Sequence, residues 1–258
     1  MQEKIFIKNR KKQKISVLID KPENPGELVF IMHGLGGFKE QPHIETYAQA
    51  FLENNYVVVR FDTTNTLGES DGKYEDATVT NYYEDLEDVI EWTKEQFWYL
   101  EPFCLVGHSL GSICIMLYAE KYPKKIKAVA PTSAVISGKL SIENKSGRGD
   151  NLDEWKRTGW LVESSNSKPG VIKRLKWSHM EDRLKYDLLP NVAKLTMPVL
   201  LIVGEKDDST PVEHQQLLYE KLPGRKEIYI IKGAKHTFRE KRHLDEINRI
   251  FNRWIKNL

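Results

Sequence analysis

Short, almost continuous apolar runs recur along this chain, and most of them are followed by a longer stretch with helical spacing. The runs lie at 27–33, 56–62, 102–107, 126–131, 198–204 and 227–232. Strands that are apolar on both faces are typical of a parallel sheet covered by helices on both sides. Two further β-like runs, at 4–7 and 14–19, flank a basic turn and predict an antiparallel hairpin at one edge. The pattern therefore predicts an α/β fold built on a mostly parallel sheet of eight strands.

The alternation is interrupted between residues 136 and 190, where no β-type run is evident. We interpret 136–190 as a small cap insertion over one end of the sheet, with a core formed by 1–135 and 191–258. The alternative is a pair of ordinary crossover connections with an unrecognised strand. Three of the six tryptophans lie in this interval: Trp155, Trp160 and Trp177. They fit an apolar or aromatic substrate pocket as well as they fit the packing of the insertion itself.

Composition narrows the class of protein. The 39 basic and 37 acidic residues give a net charge of +2, which supplies no strong field for nucleic acid. The basic cluster at 8–14 is expected to be a solvated hairpin tip rather than a nuclear signal or an anion site. Cys104 and Cys114 lie in apolar runs and are predicted to be buried thiols, not a disulfide or a metal pair.

The N-terminal residues lack the apolar core of a signal peptide, and no apolar run approaches the roughly 20 residues that span a bilayer. We therefore expect a soluble, cytoplasmic protein with no nucleic-acid partner and no membrane span. Its oligomeric state, monomer or homodimer, is left open.

The pattern Gly-x-Ser-x-Gly occurs twice, around Ser70 in LGESDG and around Ser109 in VGHSLGS. A nucleophilic serine of this type sits on a strained turn between a buried strand and a following helix. Ser109 directly follows the apolar run PFCLVG and precedes an apolar helical stretch. Ser70 lies among glycines and an aspartate that are typical of a surface turn. The context predicts that Ser109 is the nucleophile and that Ser70 is not.

A serine hydroxyl needs a base, and the base needs an acid that orients it. Among the seven histidines, His236 follows the last apolar run, in the loop GAKHTF. The run PVLLIVG opens into EKDDSTP, which offers Asp207 and Asp208. The offset from the strand end favours Asp207 as the acid. Asp208 is predicted to cap the helix that begins near Pro211.

The glycine-rich loop HGLGG at 33–37 provides a backbone N–H at Leu35, which could act with the Leu110 N–H as an oxyanion hole. A glycine loop can also bind phosphate at a helix N-terminus. Neither common nucleotide-binding motif is present, and no zinc-type cluster of histidine or cysteine is evident. We expect no metal and no cofactor.

The segments HGLGG, GHSLG, VGEKD and GAKHTF, in this order, resemble the α/β-hydrolase superfamily. More narrowly, the chain is similar to small bacterial feruloyl (cinnamoyl) esterases, which combine HG-x-GG with a later loop like LGESDG and a compact insertion before the acid strand. It departs from them at Thr66-Leu67-Gly68, where the family often has G-H-G, and at Ser112, where a second glycine is common.

The resemblance implies a serine carboxylesterase that forms an acyl-enzyme from a small-molecule ester by means of Ser109, His236 and Asp207. Enzymes with the same machinery remain open alternatives: a monoacylglycerol lipase, a thioesterase, a peptidase or a carbon–carbon hydrolase. A further alternative of another class is a non-catalytic scaffold that binds a small molecule.

Overall fold

The computed structural model describes residues 1–147, 149–165 and 168–258. Within these residues the chain forms ten strands: β1 (Gln2–Lys8), β2 (Lys14–Asp20), β3 (Glu27–Met32), β4 (Tyr56–Phe61), β5 (Phe103–His108), β6 (Ile126–Thr132), β7 (Trp160–Ser164), β8 (Ile172–Lys176), β9 (Val199–Gly204) and β10 (Lys226–Ile231). Eight of them form one sheet in the order β1-β2-β4-β3-β5-β6-β9-β10. β2 pairs antiparallel with β1 and β4, and the other neighbours are parallel. The predicted α/β fold, with its antiparallel hairpin at one edge, is confirmed.

The same described residues contain eight α-helices: α1 (Pro42–Leu52), α2 (Val79–Thr93), α3 (Leu110–Lys121), α4 (Gly138–Gly147), α5 (Leu152–Thr158), α6 (Ser178–Arg183), α7 (Val212–Lys221) and α8 (Lys241–Ile255). Helices α1 and α8 pack on one face of the sheet, where the Tyr47 and Phe251 rings lie 5.1 Å apart. Helices α2, α3 and α7 contribute to the apolar core on the other face. Both faces of the sheet are therefore covered by helices.

The central strands are apolar throughout because successive side chains enter different cores. In β3, Val29 and Ile31 pack with α1 and α8, whereas Leu28, Phe30 and Met32 pack with α2 and α3. Strand side chains alternate between the two faces of a sheet, so a sheet covered on both sides selects apolar residues at every position. This arrangement fixes the carboxyl ends of β3, β5, β9 and β10 at one edge, where the loops of interest begin.

Residues 136–190 join β6 to β9 outside the main sheet and contain α4, α5, α6 and a second, two-stranded sheet. Strands β7 and β8 pair antiparallel in that sheet. The interval therefore contains two strands that no apolar run in the sequence marks. Most residues of the two strands are exposed or half-buried, so the strands carry no continuous apolar run.

The basic cluster at 8–14 forms the predicted hairpin tip, and two of its charges are paired with acids of α2. Arg10 forms ion pairs with Asp88 at 2.9 Å and with Glu87 at 3.1 Å, both on α2. Lys11 pairs with Glu84 on the same helix at 2.5 Å. The acidic residues of α2 thus hold the hairpin in place.

Two further expectations concern composition. Cys104 and Cys114 are both buried free thiols, as predicted. None of the helices in the described residues combines the length and apolar character needed to cross a membrane.

Candidate active site

Ser109 lies on the turn between β5 and α3 with φ 54° and ψ −114°, a backbone conformation that is unfavourable for a residue with a side chain. Two flanking glycines allow this turn. A Cβ on Gly107 would lie 2.7 Å from the Gly111 carbonyl carbon, and a Cβ on Gly111 would lie 2.5 Å from the His33 carbonyl oxygen. The strand, the helix and the neighbouring loop therefore approach one another more closely than larger residues permit.

Ser112 occupies a site where the resembling esterases often have glycine, and its hydroxyl is satisfied internally. Its Oγ donates to the Gly107 carbonyl at 2.7 Å and accepts from the Thr132 amide at 3.1 Å. The departure from the family pattern therefore adds a link between β5, α3 and β6 without disturbing the turn.

The structure brings Ser109, His236 and Asp207 together in one hydrogen-bonded chain. The Oγ of Ser109 lies 2.9 Å from Nε2 of His236. The Nδ1 of His236 lies 2.9 and 3.0 Å from the two carboxylate oxygens of Asp207. Because the carboxylate can only accept, the imidazole carries its proton on Nδ1 and leaves Nε2 to accept from the serine hydroxyl. The arrangement can remove a proton from the serine as it attacks an electrophile.

Asp207 is held in its ionised form by the groups around it. Its side chain is buried, and it accepts hydrogen bonds from the Ser209 and Thr210 amides at 3.0 and 2.9 Å. Burial opposes ionisation, but the neighbouring His236 and the hydrogen bond from the Thr210 amide dominate and lower the pKa of Asp207 to about 2. The carboxylate is therefore charged across the neutral range and can orient the imidazole.

The prediction that Asp208 caps α7 was wrong. Helix α7 is preceded by Pro211 and has no side-chain cap. The amides of Ser209 and Thr210, just before α7, instead donate to Asp207. The aspartate that orients His236 thus also orders the start of this loop.

Two buried histidines support the site, and sequence reasoning considered them only as rival bases. His108 donates from Nε2 to the backbone carbonyl of His236 at 2.8 Å. Burial and the neighbouring His236 lower the pKa of His108 to about 3, so it stays neutral. Nε2 of His33 accepts from the Thr63 amide at 3.1 Å, and its Nδ1 donates to the Gly34 carbonyl at 2.7 Å. His33 directly precedes the first glycine of HGLGG, and His108 directly precedes Ser109. This adjacency to a motif was the sequence feature that could have identified both residues.

The amides of Leu35 and Leu110, predicted to form an oxyanion hole, face no competing acceptor. Neither amide donates a hydrogen bond to a described residue. Leu35 lines the same cleft as Ser109, and Leu110 is the first residue of α3. The Gly36 amide next to Leu35 donates to the Tyr82 hydroxyl at 3.3 Å, which ties the loop to α2. Both predicted amides are therefore available to a ligand.

Ser70, in the second Gly-x-Ser-x-Gly segment, is bonded to backbone groups alone in the described structure. Its Oγ donates to the Asp62 carbonyl at 2.7 Å and accepts from the Ser16 amide at 2.8 Å. Both bonds fasten the loop to the neighbouring strands. Ser70 is therefore held by backbone groups, and none of the described histidines bonds to its hydroxyl.

Ser109 and His236 line a cleft with a volume of about 170 Å³. The other described residues around it are Leu35, Tyr74, Val135, Ser141, Lys145, Glu163, Lys173, Arg183, Ser209 and Thr210. A wider depression of about 550 Å³ lies between α1 and α8, away from Ser109, and is lined mainly by polar side chains. Because Ser109 and His236 line the smaller cleft, that cleft is the candidate substrate site.

The three tryptophans proposed as substrate contacts are not among the described residues that line this cleft. Trp155 is buried, packs edge-on against Trp177 with ring centroids 5.5 Å apart, and donates to the Leu175 carbonyl at 3.1 Å. Trp160 lies beneath the Arg174 guanidinium at 4.3 Å. These contacts favour the packing interpretation of the tryptophans.

Comparison with known proteins identifies the family and agrees with the fold. Residues 23–241 match the family Hydrolase_4, described as serine aminopeptidase, S33. The chain is 25% identical over 187 residues to the palmitoyl-protein thioesterase ABHD10 of Bos taurus, a mitochondrial protein. That match covers 72% of this chain and 59% of the bovine protein.

Among solved structures, Est1E from Butyrivibrio proteoclasticus with bound ferulic acid superposes with a TM-score of 0.78 and 22% identity, covering 98% of each chain. The mouse alpha/beta hydrolase domain-containing protein 10 superposes with a TM-score of 0.79 and 19% identity, covering 99% of each chain. These likenesses establish the shared fold. With the family match over most of its length, the chain belongs to the Hydrolase_4 (serine aminopeptidase, S33) family of α/β-hydrolases.

Proposed function

We propose that this protein is a serine hydrolase that cleaves carboxylic esters through an acyl-enzyme. The observation that carries the proposal is the continuous hydrogen-bonded chain from Ser109 through His236 to Asp207, at a strained strand-to-helix turn that opens into a cleft. A binding scaffold has no need of a serine held in an unfavourable conformation beside an oriented imidazole.

In the proposed reaction the Oγ of Ser109 attacks the ester carbonyl carbon, and Nε2 of His236 accepts the serine proton. Asp207 stabilises the resulting imidazolium and keeps its Nδ1 proton in place. The Leu35 and Leu110 amides donate to the tetrahedral oxyanion. When the intermediate collapses, His236 gives its proton to the leaving alcohol. A water molecule, activated by the same imidazole, then hydrolyses the acyl-enzyme and restores the serine.

The segment 136–190 is proposed to act as the cap of this site. It contributes Ser141, Lys145, Glu163, Lys173 and Arg183 to the lining of the cleft. The cleft is smaller than the roughly 300–1,000 Å³ typical of pockets for drug-sized ligands. Its volume of about 170 Å³ and its charged lining favour a compact acyl group over a long alkyl chain. A short acyl ester is therefore preferred to a monoacylglycerol as the substrate.

Thioester hydrolysis is a second candidate, because the bovine relative is named a palmitoyl-protein thioesterase. The same nucleophile, base and oxyanion donors serve both reactions, and the two substrates differ in the leaving group. A comparison of 4-nitrophenyl butyrate with butyrylthiocholine, which share one acyl group, separates an ester preference from a thioester preference.

A panel of substrates tests the proposal directly. The panel consists of 4-nitrophenyl acetate, butyrate, octanoate and palmitate, with methyl ferulate and a monoacylglycerol. We expect kcat/KM to be highest for the short chains and to fall as the chain lengthens, and we expect Ser109→Ala to lower turnover of each substrate by at least about 10⁴-fold. Failure of the wild-type protein to hydrolyse any ester or thioester, or turnover that survives Ser109→Ala, would contradict the proposal.

A further inference from the structure

Arg183, the last residue of α6, carries a buried guanidinium in the wall of the cleft that contains Ser109 and His236. The residue is only 8% exposed. Its Nε is inaccessible and has no hydrogen-bond partner. Among the described residues no carboxylate forms an ion pair with Arg183.

The described acid in the cleft is already engaged with another cation. Glu163 lies 2.7 Å from Lys173. Lys145, which also lines the cleft, pairs with Asp150 at 3.1 Å. The described lining thus contains three cationic side chains and one acidic side chain, and Arg183 is the cation for which no described acid is in reach. Burial lowers the pKa of Arg183 to about 10, which still leaves it charged at neutral pH.

The backbone of Arg183 is fixed by close packing on both sides. A Cβ on Gly138, at the start of α4, would lie 2.1 Å from the Arg183 carbonyl oxygen, so a glycine is required at that contact. The adjacent Asp182 accepts from the Thr80 amide at 2.9 Å and from the Thr80 hydroxyl at 2.6 Å, which fastens α6 to the first turn of α2. The guanidinium is therefore held at the cleft by a rigid support.

A buried charge without a partner is unfavourable unless a ligand supplies the opposite charge. The planar guanidinium presents paired N–H groups that match the two oxygens of a carboxylate. We propose that Arg183 binds a carboxylate of the substrate, so that the preferred ester carries an anionic group within a few bonds of its scissile carbonyl. The short distance follows from the small cleft that Arg183 shares with Ser109. The inference rests on the proposed ester hydrolysis and defines its substrate class.

Two matched pairs of esters test this inference, one for each side of the scissile bond. For the acyl side, mono-4-nitrophenyl adipate is compared with its neutral methyl ester. For the alcohol side, carboxymethyl butyrate is compared with its neutral methyl ester. The quantity measured is the ratio of kcat/KM for the charged ester to kcat/KM for the neutral ester, after subtraction of the uncatalysed rate.

We expect the wild-type ratio to be roughly 10 to 100 in at least one pair. A site that hydrogen-bonds a polar group of the substrate discriminates strongly against an analogue that lacks this group. Arg183→Met, which removes the charge at similar length, should bring that ratio to near 1, a loss of roughly 10- to 100-fold that matches the wild-type preference. Arg183→Lys, which keeps the charge but loses the paired donors, should restore part of it. Lys139→Met removes an exposed cation of α4 outside the cleft lining and should leave the ratio unchanged.

A binding measurement separates this inference from the proposed reaction. In the Ser109→Ala background, monomethyl adipate and dimethyl adipate are titrated by calorimetry, with and without Arg183→Met. Tighter binding of the anionic probe that is lost with Arg183→Met supports carboxylate recognition even if turnover fails. Equal binding of both probes, or a charged-to-neutral ratio that Arg183→Met leaves intact, overturns the inference while ester hydrolysis stands. Thermal unfolding of Arg183→Met and Arg183→Lys verifies that both variants fold.

Discussion

Ser70 and Ser109 each have a glycine two residues before and two residues after them, but the groups that contact their hydroxyls differ. The hydroxyl of Ser109 meets an imidazole at 2.9 Å, whereas the hydroxyl of Ser70 bonds to the Asp62 carbonyl and the Ser16 amide. The Ser109 backbone is held at a positive φ. A five-residue pattern therefore does not identify a nucleophile; the strand before it and the base beside it do.

Substitution of each serine tests this distinction. Ser109→Ala should lower kcat for a short-chain ester by about 10⁴- to 10⁶-fold, because the attacking atom is removed. Ser70→Ala should leave kcat within a few-fold and lower the free energy of unfolding by about 1 kcal/mol, the usual value of a hydrogen bond. Steady-state kinetics and chemical denaturation of the two variants provide the measurements. A large loss of kcat in Ser70→Ala alone would reverse the assignment.

His108 is predicted to act as a positioning residue through the backbone of His236. Replacement by phenylalanine removes the N–H that bonds to the His236 carbonyl, and a displacement of about 1 Å at a catalytic base can cost on the order of 100-fold in rate. We expect His108→Phe to lower kcat by about 10- to 100-fold with little change in KM. His108→Gln, which retains a donor, should recover part of kcat. A parallel rise in KM with unchanged kcat would exclude this role.

The three residues of the proposed triad were predictable from sequence because each lies directly after an apolar strand. The supporting roles of His33 and His108 were not predictable, since they depend on which loop carbonyl or amide comes within reach. Arg183 was also missed, because it sits in a short helix that no strand end marks. The prediction for Asp208 was wrong for a similar reason, because the amides before α7 donate to Asp207 instead.

At the scale of loops and strands, the segment LGESDG and the glycine loop that follows β3 form one unit. Lys39, just after the glycine loop, is fully buried and bonds through Nζ to Asp62 at 2.8 Å and to Glu69 at 2.8 Å. Asp62 also accepts the Lys39 and Glu69 amides, both at 2.8 Å. A Cβ on Gly68 would lie 2.2 Å from the Asp62 carboxyl carbon. The second serine motif therefore supports the loop that carries the Leu35 amide.

Removal of one member of this buried pair should be costly. Lys39→Met leaves the Asp62 carboxylate buried without its cation and should lower the free energy of unfolding by about 3–5 kcal/mol. The double variant Lys39→Met/Asp62→Asn removes both charges and should recover part of that loss. Urea denaturation of these two variants, of Asp62→Asn and of the wild-type protein completes a double-mutant cycle. Equal and additive losses would show that the two charges do not act together.

The strands differ in how clearly the sequence predicts them. The central strands β3, β4, β5, β6 and β9 are buried on both faces and stand out as apolar runs, whereas β1 and β2 stand out by the turn between them. β7 and β8 pair mainly with each other and leave residues such as Val162 and Ile172 exposed, at 57% and 62%. A two-stranded ribbon need not be apolar on both faces, so no apolar run in the sequence marks β7 and β8.

At the scale of the whole molecule, the proposed site combines two parts of the chain. The ends of β5, β9 and β10 supply the hydroxyl, the carboxylate and the imidazole. The segment 136–190 supplies most of the charged side chains around them. On this account the sheet determines the reaction and the proposed cap determines which ester is accepted.

Stability should depend on pH through Glu120, a buried acid of α3 that lies outside the cleft lining. Burial raises the pKa of Glu120 from 4.5 to about 7, and its Oε1 has no hydrogen-bond partner. Between these two values the folded protein binds more protons than the unfolded chain, so stability falls as the pH rises.

Glu120→Gln removes this titration and should raise the free energy of unfolding above pH 7 by on the order of 1 kcal/mol relative to the wild-type protein, allowing for solvent screening. Near pH 4 the two proteins should differ little. Thermal unfolding at both pH values provides the measurement, with Glu95→Gln, at an exposed position, as the control. A difference that is the same at pH 4 and pH 8 would contradict the prediction.

Reaction with a fluorophosphonate, followed by peptide mapping of the adduct, tests the central claim most directly. The reagent phosphonylates a serine only where an oriented base removes its proton, and the adduct identifies that serine by mass. We predict a single adduct on the peptide that contains Ser109, greatly slowed formation in His236→Gln, and no adduct in Ser109→Ala. An adduct on Ser70, or an intact wild-type protein that stays unlabelled, would contradict the account.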